Sequence, residues 1–221
     1  MDTTHTVPLY GDGRGHVTLV HHSGDDLTAV NAARVSFGAH RTELDDKDLK
    51  LLSYLAKERH TSPFEHCSVT FRVKVPLFVA RQWMRHRTQS YNEISRRYTS
   101  ASIEFFVPSA LRRQHKSNRQ ASEGIIDDPN LLALYDAQIT RALATYEHLI
   151  SEGVCREQAR AVLPQSMYTE YYASANLLNW LKFVELRDHE GAQQEIIEAA
   201  RAIRSILEAL YPHTTHAWFD R

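Results

Sequence analysis

The sequence predicts an α+β fold: a mostly antiparallel sheet flanked by helices, with a helical lobe, in a single domain covering residues 1–221. Three observations predict it. Cys67, Val69, Phe71, Val73 and Val75 alternate with Ser68, Thr70, Arg72 and Lys74, the period of two of a strand with one buried face. Two long segments, Asn130 to Glu152 and Ala192 to Tyr211, repeat apolar residues at helical spacing. Strand candidates that connect as hairpins outnumber βαβ units, which favours antiparallel pairing.

The elements follow in order. Residues 1–15 are polar and Gly-rich and are expected to form a flexible or partner-contacting arm. His16 to Val20 reads as a short strand. Asp25 or Asp26 can cap a helix to about Phe37, and Asp45 or Asp46 a second one through Arg59. After the 67–75 strand, Pro76 suits the first turn of a helix over Leu77 to Arg85. A polar, Arg-rich loop is expected to about Ser102, then a short strand, Ile103 to Val107, stopped by Pro108. Residues 112–130 carry charge, Gly and Asp-Asp-Pro and read as a surface excursion.

The 130–152 helix has Leu131, Tyr135, Ile139, Leu143, Tyr146 and Ile150 as its stripe, and Gly153 closes it. Glu157 to Leu163 reads as a short helix, Met167 to Ala173 as a strand, and Asn176 to Arg187 as a helix before the last one.

Composition narrows the function. Apolar residues at 43% and charged residues at 24% are ordinary for a soluble globular chain. A net charge of −1 argues against a molecule built to coat a polyanion, so any anion site must be local. No apolar run is long enough to span a bilayer. The start, with no basic or apolar stretch, is not expected to be a secretory signal. Cys67 and Cys155 make no disulfide framework, and a reduced cytoplasmic setting is expected.

The chemistry concentrates in residues 81–98. Five arginines, one glutamate and no lysine lie between Arg81 and Arg97, and a guanidinium can pair two acceptors at once where an ammonium is a point charge. Ser90, Asn92 and Ser95 add neutral hydrogen-bonding groups, and Glu93 is the lone carboxylate. Composition alone favours a solvated basic loop, one that could touch a nucleic-acid backbone. Other candidates are weaker. Gly11 to Gly15 follows no convincing strand, so it is no dinucleotide fingerprint. The pairs His21–His22, His60–His66 and His213–His216 lack partners at metal-ligand spacing, so no metal is expected.

The order of residues decides between these readings. Arg85-His86-Arg87-Thr88-Gln89-Ser90-Tyr91-Asn92-Glu93-Ile94-Ser95-Arg96-Arg97-Tyr98 resembles, at every fixed position, the signature of the flavin-dependent thymidylate synthases. Ala32 to Ser36, His60 to His66, Val75 to Trp83, Ala159 to Pro164 and Leu186-Arg187 are similar to further landmarks of that family in the same order. Leu178, Lys182 and Gly191 depart from residues common among relatives.

The resemblance implies conversion of dUMP to dTMP, with 5,10-methylenetetrahydrofolate as carbon donor, FAD as hydride carrier and NADPH as reductant. It implies that Gln82, Arg85, Glu93, Ser95, Arg96, Arg97 and Arg160 hold dUMP, with Arg187 as the catalytic cation facing uracil. His60, Ser62, Arg85, His86, Arg87, Asn92, Glu93 and Asn176 would contact FAD. It further implies a homotetramer with shared active sites, and no nucleic-acid or membrane partner. Two competing readings, a nucleic-acid-binding module and a thiol-dependent thymidylate synthase, are disfavoured by the neutral net charge and by the settings of the two cysteines.

Overall fold

The computed structural model describes residues 5–220. In chain order the elements are β1 (Thr6–Pro8), β2 (His16–Ser23), α1 (Asp26–Arg34), α2 (Asp46–Lys57), β3 (Ser68–Pro76), α3 (Leu77–Trp83), β4 (Ser90–Glu93), β5 (Leu111–Gln114), β6 (Ser122–Ile126), α4 (Pro129–Ser151), α5 (Arg156–Ala159), β7 (Tyr168–Asn176), α6 (Leu177–Arg187), α7 (Gln194–Leu210) and α8 (Pro212–Phe219). Five strands form one sheet in the order β1-β2-β3-β7-β4, every pairing antiparallel, and β5 and β6 form a separate ribbon. This is the expected α+β class.

Local chemistry starts the helices. Asp25 and Asp45 each close a capping box with the residue three positions on, Thr28 and Asp48, satisfying N–H groups the first turn leaves open. Asp128 caps α4, with Pro129 at its first position. Gly24 turns the chain into α1 at φ 75°, and a Cβ there would lie 2.7 Å from Cys67 Sγ, so two constraints select glycine.

β3 is the spine. Val69, Phe71, Val73 and Val75 are buried on one face, and β7 runs beside β3 from Ser68↔Asn176 to Pro76↔Tyr168. Phe71 meets Trp180 of α6 edge to face at 4.8 Å, and Trp180 Nε1 donates to the Val69 carbonyl at 3.0 Å. Each fully buried apolar side chain of this kind contributes roughly 1.5–3 kcal/mol by leaving water. A smaller cluster of Phe105, Ile139 and Met167, with Leu77, Tyr135 and Leu143 against it, seats α4 beside the main core.

Several expectations need correction. The arm expected over 1–15 is not free where it is described: Thr6–Pro8 pairs with β2, and Leu9 is buried. Residues 1–4 lie outside the described residues. The Arg-rich loop contains β4, an edge strand with no apolar alternation to announce it. Residues 103–107 form no strand; Phe105 makes a single bridge to Met167, and consecutive Phe105 and Phe106 are both buried, which a strand with one wet face does not allow. The 112–130 excursion includes a β5–β6 ribbon, tied down where Arg112 pairs with buried Glu195 of α7 at 2.6 Å. After α7 the chain continues into α8, which the sequence reading omits.

Candidate active site

Three elements converge on the site: the end of α3 with the turn after it, strand β4, and the C-terminal end of α6. Tyr91 and Gln89 hold the turn. The Tyr91 hydroxyl lies within hydrogen-bonding reach of the Trp83 and His86 carbonyls, at 3.1 and 3.0 Å, and buried Gln89 accepts from Trp83 Nε1 at 2.9 Å. These two residues occupy the variable positions of the signature, so sequence reasoning passed over them. The phenol at the strand's start was their one available signal.

At the end of α6, Arg187 is half-buried. Its Nε donates to His86 Nε2 at 3.0 Å, and Nη2 donates to the Gln82 carbonyl at 3.1 Å. Burial, and then the adjacent Arg187 charge, push the His86 pKa down to about 4. His86 is therefore neutral near pH 7, with its proton on Nδ1 so that Nε2 can accept. Burial also lowers the pKa of Arg187, though a guanidinium stays protonated at neutral pH.

The Gln82 side chain donates to Gln193 Oε1, Gln193 Nε2 donates to Glu195 Oε2 at 2.8 Å, and Arg112 pairs with the other oxygen of Glu195. Gln193 precedes α7 and belongs to no motif.

A second group lies in a cleft of about 370 Å³ lined by Glu93, Arg96, Arg160 and Thr169 over a floor that includes Leu77 and Met167. Thr169 donates to Glu93 and fixes that carboxylate. Arg96 is buried; Nη1 and Nη2 donate to the Ala101 and Ser102 carbonyls, and Nε is buried without a hydrogen-bond partner among the described residues. Burial lowers the Arg96 pKa. Arg160 is exposed on the turn after α5, and its side chain makes no hydrogen bond or ion pair among the described residues. Arg97 donates from Nη2 to Tyr98 at 3.1 Å, and Ser95 Oγ accepts from the Arg97 amide at 3.3 Å.

The structure thus brings together Gln82, His86 and Arg187 in one cluster, and Glu93, Arg96 and Arg160 in one cleft. Arg85 and Arg87 stand exposed on the turn, and Asn92 lies exposed on β4. His60 and Ser62 sit on the turn between α2 and β3, and neither hydrogen-bonds to residues 81–98; the His60 ring rests edge-on against Tyr54 at 5.6 Å. Asn176 caps α6, accepting from the Asn179 amide at 3.0 Å.

Among the described residues no helix is long and apolar enough to cross a membrane. The family model described as thymidylate synthase complementing protein matches residues 18–213. The chain is 47% identical over 207 residues to a flavin-dependent thymidylate synthase of Thermus thermophilus, covering 94% of this chain and 76% of that one. It is 41% identical over 211 residues to a flavin-dependent thymidylate synthase of Kosmotoga olearia, covering 94% and 91%. The crystal structure of the UMP/dUMP methylase PolB from Streptomyces cacaoi, bound with 5-Br dUMP, superposes with a TM-score of 0.86 at 36% identity over 97% of both chains. With signature, fold and relatives in agreement, the chain belongs to the flavin-dependent thymidylate synthase family.

Proposed function

We infer that this chain methylates dUMP at C5 of uracil to give dTMP, with FAD as its cofactor. The observation that carries the reading is the half-buried Arg187 cation, held by His86 and Gln82 beside a run of exposed guanidinium groups. Arg81, Arg85 and Arg87 make no hydrogen bond or ion pair among the described residues, a donor set that suits a diphosphate-bearing cofactor. His86, Arg85, Arg87, Asn92 and Glu93 would hold FAD, with His60, Ser62 and Asn176 as outer contacts. Bound flavin supplies hydride chemistry.

The chain's own residues do the rest. The unpartnered Nε of Arg96, with Ser95, Arg97 and Arg160, binds the nucleotide phosphate, and Gln82, Arg85 and Glu93 orient the nucleoside. Arg187 Nη1 makes no hydrogen bond among the described residues, and the side chain aims a fixed cation at the negative charge that develops on uracil. In a partly dehydrated site such a cation lowers the barrier without reorganising solvent. Electron density then rises at C5, the atom that accepts the one-carbon unit. The co-substrates are 5,10-methylenetetrahydrofolate and NADPH, and the working form is a cytoplasmic homotetramer with active sites shared between subunits.

Purified protein should take up FAD and form dTMP from dUMP, methylenetetrahydrofolate and NADPH. Arg187→Ala should lose about a hundredfold or more in dTMP formation while keeping FAD. A protein that takes up no FAD on titration overturns the flavin reading, and normal turnover in Arg187→Ala removes Arg187 from the mechanism. Sedimentation should report a tetramer; an active monomer contradicts shared sites.

A further inference from the structure

The hydrogen bonds running from Gln82 to Arg112 have only one possible direction. Glu195 is buried and ion-paired with Arg112, and a carboxylate in that state only accepts. The Gln193 side chain reaches it at 2.8 Å, so Gln193 must turn its amide nitrogen toward Glu195 and its oxygen the other way. That oxygen meets the Gln82 side chain, so Gln82 must present its nitrogen to Gln193. The Gln82 Oε1 atom then points away from Gln193, and it makes no hydrogen bond among the described residues. An isolated glutamine could flip its amide at little cost. Here a flip sets two oxygens, or two N–H groups, against each other in a half-buried place.

We propose that Gln193 and Glu195 are positioning residues that fix Gln82 as a hydrogen-bond acceptor toward the nucleotide. The proposal rests on the reading that Gln82 meets dUMP. An acceptor there selects a donor on the substrate, either the imide N–H of uracil or a ribose hydroxyl. Arg112 brings the β5–β6 ribbon into the same network, so a surface element outside the signature helps to set the polarity of the site.

The test is dUMP binding by calorimetry to the FAD-loaded protein, in wild type, Gln82→Met, Gln193→Leu and the double variant. Gln193→Leu should weaken dUMP about three- to tenfold, the range for one oriented hydrogen bond. It should add nothing in the Gln82→Met background, because its effect runs through Gln82. Glu195→Gln, nearly isosteric, removes the directional constraint and should show the same non-additive loss; it gives the reading if Gln193→Leu does not fold.

Two analogues identify the donor. N3-methyl-dUMP lacks the imide N–H, and 2′,3′-dideoxyuridine monophosphate lacks the ribose hydroxyl. The analogue missing the relevant donor should bind wild type and Gln193→Leu alike. If Gln82→Met binds dUMP like wild type, the reading of Gln82 fails and the proposal with it. If Gln82→Met is weakened but the Gln193→Leu loss is absent or additive, or if both analogues still distinguish the two proteins, the proposal alone is overturned.

Discussion

Arg187 and His86, 101 residues apart in sequence, meet through one hydrogen bond of 3.0 Å from guanidinium Nε to imidazole Nε2. Two neighbours settle the ring in this arrangement. The Phe183 ring lies 4.7 Å from it between centroids, and Tyr91 anchors the backbone carbonyl of His86. A long cationic side chain loses about 2 kcal/mol of rotamer freedom when fixed, so an acceptor already in place lowers the cost of aiming it.

The first prediction concerns that acceptor. His86→Leu keeps approximate volume but cannot accept, whereas His86→Gln places an oxygen near the Nε2 position. At saturating FAD, dTMP turnover should fall about tenfold or more in His86→Leu, as expected for losing a bond to a charged group. His86→Gln should recover much of that loss. Equal rates in the two variants, measured by steady-state kinetics with flavin content checked, would show that the imidazole's accepting nitrogen does not matter to Arg187.

How much of this was legible in the sequence depends on the physics behind each feature. β3, α4 and α7 were readable because one face of each is buried, and burial writes a clean period into the chain. β4 has no such face, and only its pairing with β7 makes Ser90–Glu93 a strand. α8 was hidden by Pro212, which reads as a stop but occupies the helix's first turn. The signature residues could be located in the sequence, but their partners could not. Neither the Arg187–His86 bond nor the role of Gln193 follows from spacing, because both depend on how α6 and α7 pack on the sheet.

The second prediction is a pH effect on stability. The His86 pKa in the folded state, about 4, lies below its ordinary value near 6.5. Between these values the unfolded chain binds a proton that the folded chain does not. Stability from neutral His86 is therefore complete above about pH 6.5 and is lost as pH falls toward 4, with a slope of at most ~1.4 kcal/mol per pH unit. Partial exposure reduces that slope. Arg187 is the charged group in contact with the ring, and it stays cationic throughout. Thermal melts should therefore drop less between about pH 7 and about pH 5 in His86→Gln than in wild type. Parallel profiles would mean that His86 is not held neutral by the fold.

The last prediction is that dTMP synthesis needs no thiol. Thiol-dependent thymidylate synthesis adds a thiolate to C6 of uracil, so it requires a cysteine that ionises and reaches the base. Cys67 can do neither. It is fully buried just before β3, its Sγ packs near Gly24 and donates weakly to the Asp25 carbonyl at 3.5 Å. Burial, then the nearby Asp25 and Asp26 charges, push its pKa up to about 12. Cys155 is exposed but sits before α5, where its sulfur donates to Gln158 Oε1 at 3.6 Å, and among the described residues no base hydrogen-bonds to it. In the proposed mechanism Arg187 supplies instead the electrostatic activation that a thiolate would provide covalently. The double variant Cys67→Ala, Cys155→Ala should keep FAD- and NADPH-dependent dTMP production. It should lose about 1–2 kcal/mol of stability, almost all of it from truncating buried Cys67. The measurement is turnover by the folded, flavin-loaded double variant below its lowered melting point. A variant that keeps fold and flavin yet makes no dTMP would place a sulfur in the reaction and displace Arg187 as the activating group.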